Sequence, residues 1–525
     1  MKERNPVFIL FFAVPVLIVV LGILFVQEYL RSALTGYVEN VLEEEIGSHL
    51  DQAPGDLLDI SVQKLKFNTF PITVSTSEIS LYAVTDVYNE DGSALLCNHV
   101  YEAGVINFEI SLKPLVLIAL GQKKFNINRL QLDSVYFSTK CISEEPGDDL
   151  NSRQKIHTGQ IRFKGKIELP GNDSNGLENL AFEEHSLKAA NLSVYLPQNL
   201  YSFHIDSISL DGPINTISIE KIKVLPNHKK EEFYRHVEYE TDRIETHLDN
   251  VEIRGLRIHK TDGRRGLMIS HVDIRNGVVD VFRDRRPTFN EEQRPVMPVK
   301  LIKTAPVDLF VAEINISETD ILYSEFPGDD SESGFHEAAG NVPFKRLKAT
   351  VRNITNIADS LHKDSMMHIS AEAFIFDDAL LRADFRYNLN DNNGGYSADA
   401  ELTEFRFETI NPAIYPLAGI KVTGGIHKSS VFSFTGNDVE SSGALYMEWN
   451  DLLLNFTPEA GDVITGITQS LGKIIYHQSN PDIVNKEPSG EIYFERDIRR
   501  FVFNYWWNCY LSGIKNSVLH DFVPL

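Results

Sequence analysis

The chain runs to 525 residues, 42% hydrophobic and 24% charged, a composition that excludes general disorder and allows a large buried core. Its formal net charge of −24 weighs against a nucleic-acid partner, whose phosphates are met mainly by Lys and Arg. Three dispersed cysteines, Cys97, Cys141 and Cys509, exclude a disulfide scaffold and leave at most one bridge, Cys97 to Cys141.

The first element is apolar. Residues 6–26, PVFILFFAVPVLIVVLGILFV, carry no charge and reach about 30 Å as a helix, the thickness of a hydrocarbon core. Lys2 and Arg4 precede the run, whereas Glu39, Glu43, Glu44 and Glu45 follow it. That asymmetry predicts a single-pass signal anchor, with residues 1–5 in the cytoplasm and the bulk of the chain outside. No small-x-small site closes the run, which disfavours a cleaved signal peptide. Leu30, Leu34, Val38, Val41, Leu42, Ile46 and Leu50 then recur at helical spacing and predict an amphipathic stalk over residues 27–50.

From Asp51 onward the texture is β, and one pattern dominates: apolar-x-apolar-x-x-apolar-x-apolar. Its copies are ISVQKLKF (60–67), FNINRLQL (125–132), FHIDSISL (203–210), ISIEKIKV (217–224), VEIRGLRI (251–258), LMISHVDI (267–274), LFVAEINI (309–316) and AELTEFRF (400–407). On a helix the four apolar positions scatter, so no stripe forms. At period two they make two short strand segments whose phase slips by one residue at the central, usually polar pair. Either a bulge there absorbs the extra residue and bends the strand, or the apolar side swaps sheets at that point. Repeated bends predict a curled, antiparallel-rich sheet with a long apolar concave side; a bulged β-sandwich is the plainer alternative.

Polar, Gly- and Pro-rich breaks divide the chain into a β domain over 51–230, a central β region over 231–458 and a C-terminal cap over 459–525. Within the central region, NDNNGG (390–395) predicts a hairpin turn and lacks the order of a calcium loop. The cap opens with helical spacing over 463–475. It ends on FVFNYWWNCYLSGI (501–514), whose aromatics suit either a plug for the β core or a membrane interface, the plug being preferred.

Catalytic patterns are missing. The sequence holds no Gly-x-Ser-x-Gly elbow, no phosphate loop and no His-Glu-x-x-His, and its sixteen histidines are dispersed. Asp329-Asp330 and Asp377-Asp378 read as solvated turns, although a glycosidase pair depends on spatial and not sequence spacing. No catalytic residue, cofactor or metal site is predicted. The apolar members of the octets are the candidate lining of an acyl-chain groove, for instance Phe203, Ile205, Val251, Ile253, Phe405 and Phe407; closed-core packing is the competing fate of each.

Three passages behind the anchor carry a resemblance. They are FPITVSTSEISLYAVTDVYNEDGSALL with AGVINFEISLKPLVLIALGQKKFNINRLQLDSVYFS, LFVAEINISETDILYSEF with VPFKRLKATVRNITN, and PLAGIKVTGGIHKSSVFSFTGNDVESSGALYMEWNDLLLNF through RDIRRFVFNYWWNCYLSGIKNS. In this order the chain resembles bacterial AsmA-like proteins of the Bacteroidota type. The resemblance implies a periplasmic protein held in the inner membrane, with β-sheets rolled into an apolar groove. It further implies phospholipid or another acyl lipid as cargo, in support of lipid transport or outer-membrane assembly. A scaffold that holds partner proteins of the envelope, and less so a glycan hydrolase, remain alternatives.

Overall fold

The computed structural model describes residues 57–63, 66–69, 72–88, 95–112, 126–142, 154–168, 186–195, 200–212, 214–261, 264–328, 338–376, 379–456, 476–480 and 488–519. The expected anchor at 6–26, the stalk at 27–50 and the helical spacing over 463–475 lie outside the described residues. Among the described residues no helix is long and apolar enough to cross a membrane. The chain divides into two compact units, residues 1–227 and 228–525, and both are mainly β. The regions expected at 231–458 and 459–525 therefore fall in one unit.

In the first unit nine strands pair antiparallel: β1 (Leu57–Gln63), β2 (Lys66–Thr69), β3 (Ile72–Tyr88), β4 (Leu95–Leu112), β5 (Asn126–Ile142), β6 (Gln154–Glu168), β7 (Ser186–Tyr195), β8 (Tyr201–Asp211) and β9 (Thr216–Pro226). β1 and β2 share one edge of β3, and β3 to β9 follow as a meander of neighbours. Cys141 stands opposite His99 and Cys97 opposite Val87, so the register pairs neither cysteine with the other.

The second unit begins with a one-turn helix, α1 (Lys230–Phe233). Its first strands are β10 (Asp242–Arg254), β11 (Arg257–Thr261) and β12 (Arg264–Asp284). Helix α2 (Pro298–Lys303) lies in the connection to β13 (Asp308–Phe326), which runs parallel to β12; a parallel neighbour needs such a crossover. The sheet continues antiparallel through β14 (Gly340–Thr355), helix α3 (Ala358–Lys363), β15 (Met366–Ile375), β16 (Ala379–Asn388), β17 (Tyr396–Leu402) and β18 (Phe405–Arg406). Helix α4 (Asn411–Ala418), β19 (Ile420–Gly436), β20 (Glu440–Phe456), β21 (Gly490–Glu495) and helix α5 (Val502–Val518) complete it. The sheet is mixed and open, and within this unit its strands follow from β10 and β11 through β12 to β21.

The phase slip in the octets takes two forms. At three of them the central pair ends one strand and the next begins on the same edge of a neighbour: β1 and β2 on β3, β10 and β11 on β12, β17 and β18 on β19. Elsewhere one residue of positive φ drops out of the pairing. In the first unit Ser134 (54°), Asn191 (57°) and Lys221 (51°) do so along one transverse line, with the same register on either side of Asn191 and Lys221. In the second, Gly255 (69°) and Asn353 (61°) mark one line, and Asn276 (55°), Glu318 (48°) and Arg346 (52°) a second. A left-handed residue with a Cβ costs about 1 kcal/mol. That cost is offset because the break in phase keeps the apolar positions on one face of the strand.

The second unit has a closed core under α5. Tyr505, Cys509, Gly513 and Ser517 recur every fourth residue and form the buried stripe of the helix. They meet a core that includes Tyr387, Tyr396, Phe434, Leu445, Trp449 and Ile492. Trp449 is 1% exposed and donates from Nε1 to the carbonyl of His477 at 3.1 Å. Ser512 and Asn516, four residues apart, bond the outer edge of β21: Ser512 Oγ accepts from the N–H of Tyr493 at 3.3 Å, and Asn516 donates to the carbonyl of Glu491 at 2.7 Å. The helix therefore satisfies an edge that would otherwise template further pairing.

Candidate functional site

The bulges leave the apolar positions of neighbouring strands in register. In the first unit one row reads Ile60, Leu81, Ala103, Phe137, Ile156, Val194, Phe203 and Val224, each residue opposite the next. On the other side of the bulge line a second row reads Phe67, Val74, Ile110, Leu130, Phe163, Leu187, Leu210 and Ile217. At about 4.8 Å per strand, eight strands carry such a row over roughly 34 Å. One leaflet of acyl chains is only about 15 Å deep. A row is thus longer than a single lipid tail.

On β7, β8 and β9 the two inner positions fill the same pattern, with Leu192 opposite Ile205 opposite Ile222, and Ala189 opposite Ile208 opposite Ile219. All twelve side chains of this three-strand patch are half-buried, neither sealed in a core nor fully in water. The β7 segment LKAANLSV (187–194) is a further octet that the sequence reading passed over, because two alanines weaken its apolar contrast.

The opposite face of these strands is polar. Ser193 Oγ lies 2.9 Å from Nδ1 of His204, and Ser202 Oγ 3.2 Å from its Nε2. Ser202 donates to Oδ1 of Asn227 at 3.2 Å, and Ser207 donates to Glu220 at 3.0 Å. The sheet here is amphipathic: apolar rows on one side, short hydroxyls, His204 and charged side chains on the other.

In the second unit a row runs from Ile253 through Val272, Ile314, Val351, Ile369 and Phe385 to Ala398, Phe434, Gly443 and Ile492. Its burial changes along the way. From Ile253 to Phe385 the side chains are half-buried, whereas Ala398, Phe434 and Ile492 are 1%, 3% and 0% exposed. The change falls at α5, where Trp506 packs on Phe385 with ring centres 4.3 Å apart and Gly513 faces Ile492. This helix covers one end of the row.

The six predicted lining residues separate accordingly. Phe203 and Ile205 lie in the half-buried patch of the first unit. Val251 (buried) and Ile253 (half-buried) lie in adjacent rows at the start of the second unit's sheet. Phe405 and Phe407 instead pack around a histidine: His427 stacks on Phe405 with centroids 4.5 Å apart and meets Phe407 edge-on at 6.0 Å. Phe407 belongs to the closed core and Phe405 packs against it.

His427 is 1% exposed, with Nδ1 3.1 Å from the carbonyl of Thr403 and Nε2 3.0 Å from Ser430 Oγ. Burial pushes its pKa down to about 4, because the imidazolium loses its hydration there. The unfolded chain takes up this proton near pH 6.5 and the folded chain only near 4. Stability from this group is therefore fully present above pH 6.5 and lost as pH falls toward 4, by at most about 3 kcal/mol. Urea midpoints at pH 7 and pH 4.5 are expected to converge in a His427→Gln variant relative to the parent; an unchanged gap would remove His427 as the source.

Among the described residues no three His, Cys, Asp or Glu side chains gather as metal ligands. Burial pushes the Cys509 thiol up to about 11, which makes it a packing residue and a poor nucleophile. None of the family models, curated proteins and solved structures compared with the chain matches it.

Proposed function

We propose that this chain is a membrane-anchored protein of the bacterial envelope that holds lipid acyl chains on apolar rows of a bent β-sheet. It would thereby support phospholipid transport or outer-membrane assembly in the manner of AsmA-like proteins. The observation that carries the reading is the half-buried apolar patch of β7 to β9, continued in register across eight strands and backed by a polar face. An acyl chain gains about 0.8 kcal/mol per CH₂ on leaving water, so a half-buried apolar patch binds lipid by partition and needs no reactive group. The apolar run at 6–26 supplies the anchor in the inner membrane, with the remaining chain in the periplasm.

The test is native mass spectrometry of the full chain purified in detergent and then exchanged into a harsher detergent. Phospholipid retained in fixed ratio to protein supports the reading. Recovery of lipid-free chain from several preparations, together with repeated recovery of one envelope protein, would favour a scaffold instead.

A further inference from the structure

One end of the second unit carries an apolar tip that the rows do not use. Arg496 draws three loops together there: it donates from Nη2 to the carbonyl of Pro295 at 2.8 Å, from Nη1 to that of Asp438 at 3.3 Å, and from its backbone N–H to that of Val439 at 2.7 Å. Around this junction Val296, Val439, Ile498, Phe501, Phe503 and Trp507 are 46%, 67%, 50%, 52%, 74% and 48% exposed. Val439 sits at the turn between β19 and β20, a place where polar residues are the rule. Phe503 and Trp507 are one turn apart on α5, on the side opposite its buried stripe.

The two options for the C-terminal aromatics thus fall on two faces of one helix. Tyr505, Trp506 and Tyr510 face the sheet, whereas Phe503 and Trp507 face outward. Charge distinguishes this tip from the rest of the chain. Segments 289–297, 437–440 and 496–518 together hold five basic and five acidic residues, so the whole net charge of −24 resides elsewhere. Arg499 and Arg500 are held by Glu291 and Glu240, which fixes the base of the tip.

We infer that this tip docks on the interfacial layer of a phospholipid bilayer, inserting Phe503, Trp507 and the neighbouring apolar side chains among the headgroups. Trp and Phe are the side chains that settle at that depth. A neutral tip can approach phospholipid where the acidic remainder would be repelled. The inference rests on the reading that the chain works at a membrane, but it concerns a surface separate from the acyl-binding rows.

Phe503→Cys, at an exposed position outside the buried core whose ring meets only the edge of Trp506, carries an environment-sensitive fluorophore in the full-length chain. The parent serves as the background for the native cysteines, and Lys421→Cys, at the far end of β19, is the control. The chain is reconstituted in phosphatidylcholine–phosphatidylglycerol vesicles, with brominated acyl chains placed either in the host vesicle or in added vesicles. Emission from position 503 is expected to shift to the blue and to fall by half or more in one arrangement, while position 421 stays unquenched. An unquenched probe at 503 in both arrangements overturns the inference. So does protection of the probe that accompanies a doubling of mass, because a second copy then covers the tip. Retained phospholipid is scored separately, so a lipid-loaded chain with an unquenched tip refutes the docking and spares the function.

Discussion

A chain carrying Ile205→Asp and Ile222→Asp is expected to lose at least nine-tenths of its retained phospholipid while its second unit unfolds as before. The two residues stand opposite each other on β8 and β9, with Leu192 completing the line on β7. Each is half-buried, so the carboxylates keep access to water and do not have to be forced into a closed core. An acyl chain laid across them would strip that water away, and burying an unpaired carboxylate costs several kcal/mol. That exceeds what the few CH₂ groups touching the site gain, at about 0.8 kcal/mol each. Trp449, Trp506 and Trp507 all lie in the second unit, so their emission reports that unit alone, and the far-UV circular dichroism melt of the full chain must also match the parent's to show that the first unit stays folded. Lys223→Asp is the matched control: it adds a carboxylate beside Ile222 on the polar face and should keep its lipid. A double variant with the parent's lipid load would remove these rows from the proposal.

The break in strand phase was legible in the sequence, but its extent was not. The polar central pair of FHIDSISL or VEIRGLRI announces a phase slip, and Gly255 in the second of these is a residue suited to φ of 69°. Nothing in one strand tells which partner residue will share the slip. Asn353, opposite the slip in LFVAEINI, and Asn191 become visible only through register, which is a property of pairs. The same limit explains the mixed outcome for the lining candidates. Phe203 and Phe405 occupy equally apolar positions in their octets. Phe405 is enclosed because His427, Phe376 and Phe407 converge on it from other strands and turns. Phe203 has Val194 and Val224 beside it in the same sheet and stays half-buried. For the C-terminal segment the spacing of Tyr505, Cys509, Gly513 and Ser517 carried the helix. Small residues at two of those four positions hinted at a close approach that composition alone does not reveal.

That close approach sets up the second large effect, the response to Gly490→Val. A Cβ on Gly490 would overlap the carbonyl oxygen of Gly513 and lie 2.5 Å from Ser517 Oγ and 2.8 Å from the N–H nitrogen of Ser517. Two of these three atoms are α5 backbone, so no rotamer change relieves the contact and the helix itself must move. Gly513 is also close to the sheet, where a Cβ would lie 2.9 Å from Ile492 Cγ1 and 3.0 Å from Leu445 Cβ, so the interface has little slack there. Overpacking of this kind costs about 3 kcal/mol, a drop of roughly 6–10 °C in melting temperature for a unit of this size. Trp506 should shift to the red as its contact with Phe385 loosens, and amides of residues 502–518 should exchange faster. Adding Ser517→Gly removes only the hydroxyl contact and is expected to recover only part of the loss; full recovery would mean that the side chain, not the backbone, sets the helix–sheet distance. Lifting α5 also uncovers Ala398, Phe434 and Ile492, the buried end of the second unit's row. If α5 is the stopper of that row, Gly490→Val below its melting temperature binds more apolar dye than the parent and retains more phospholipid. Equal binding by the two chains would make α5 a structural cover with no part in where the row ends.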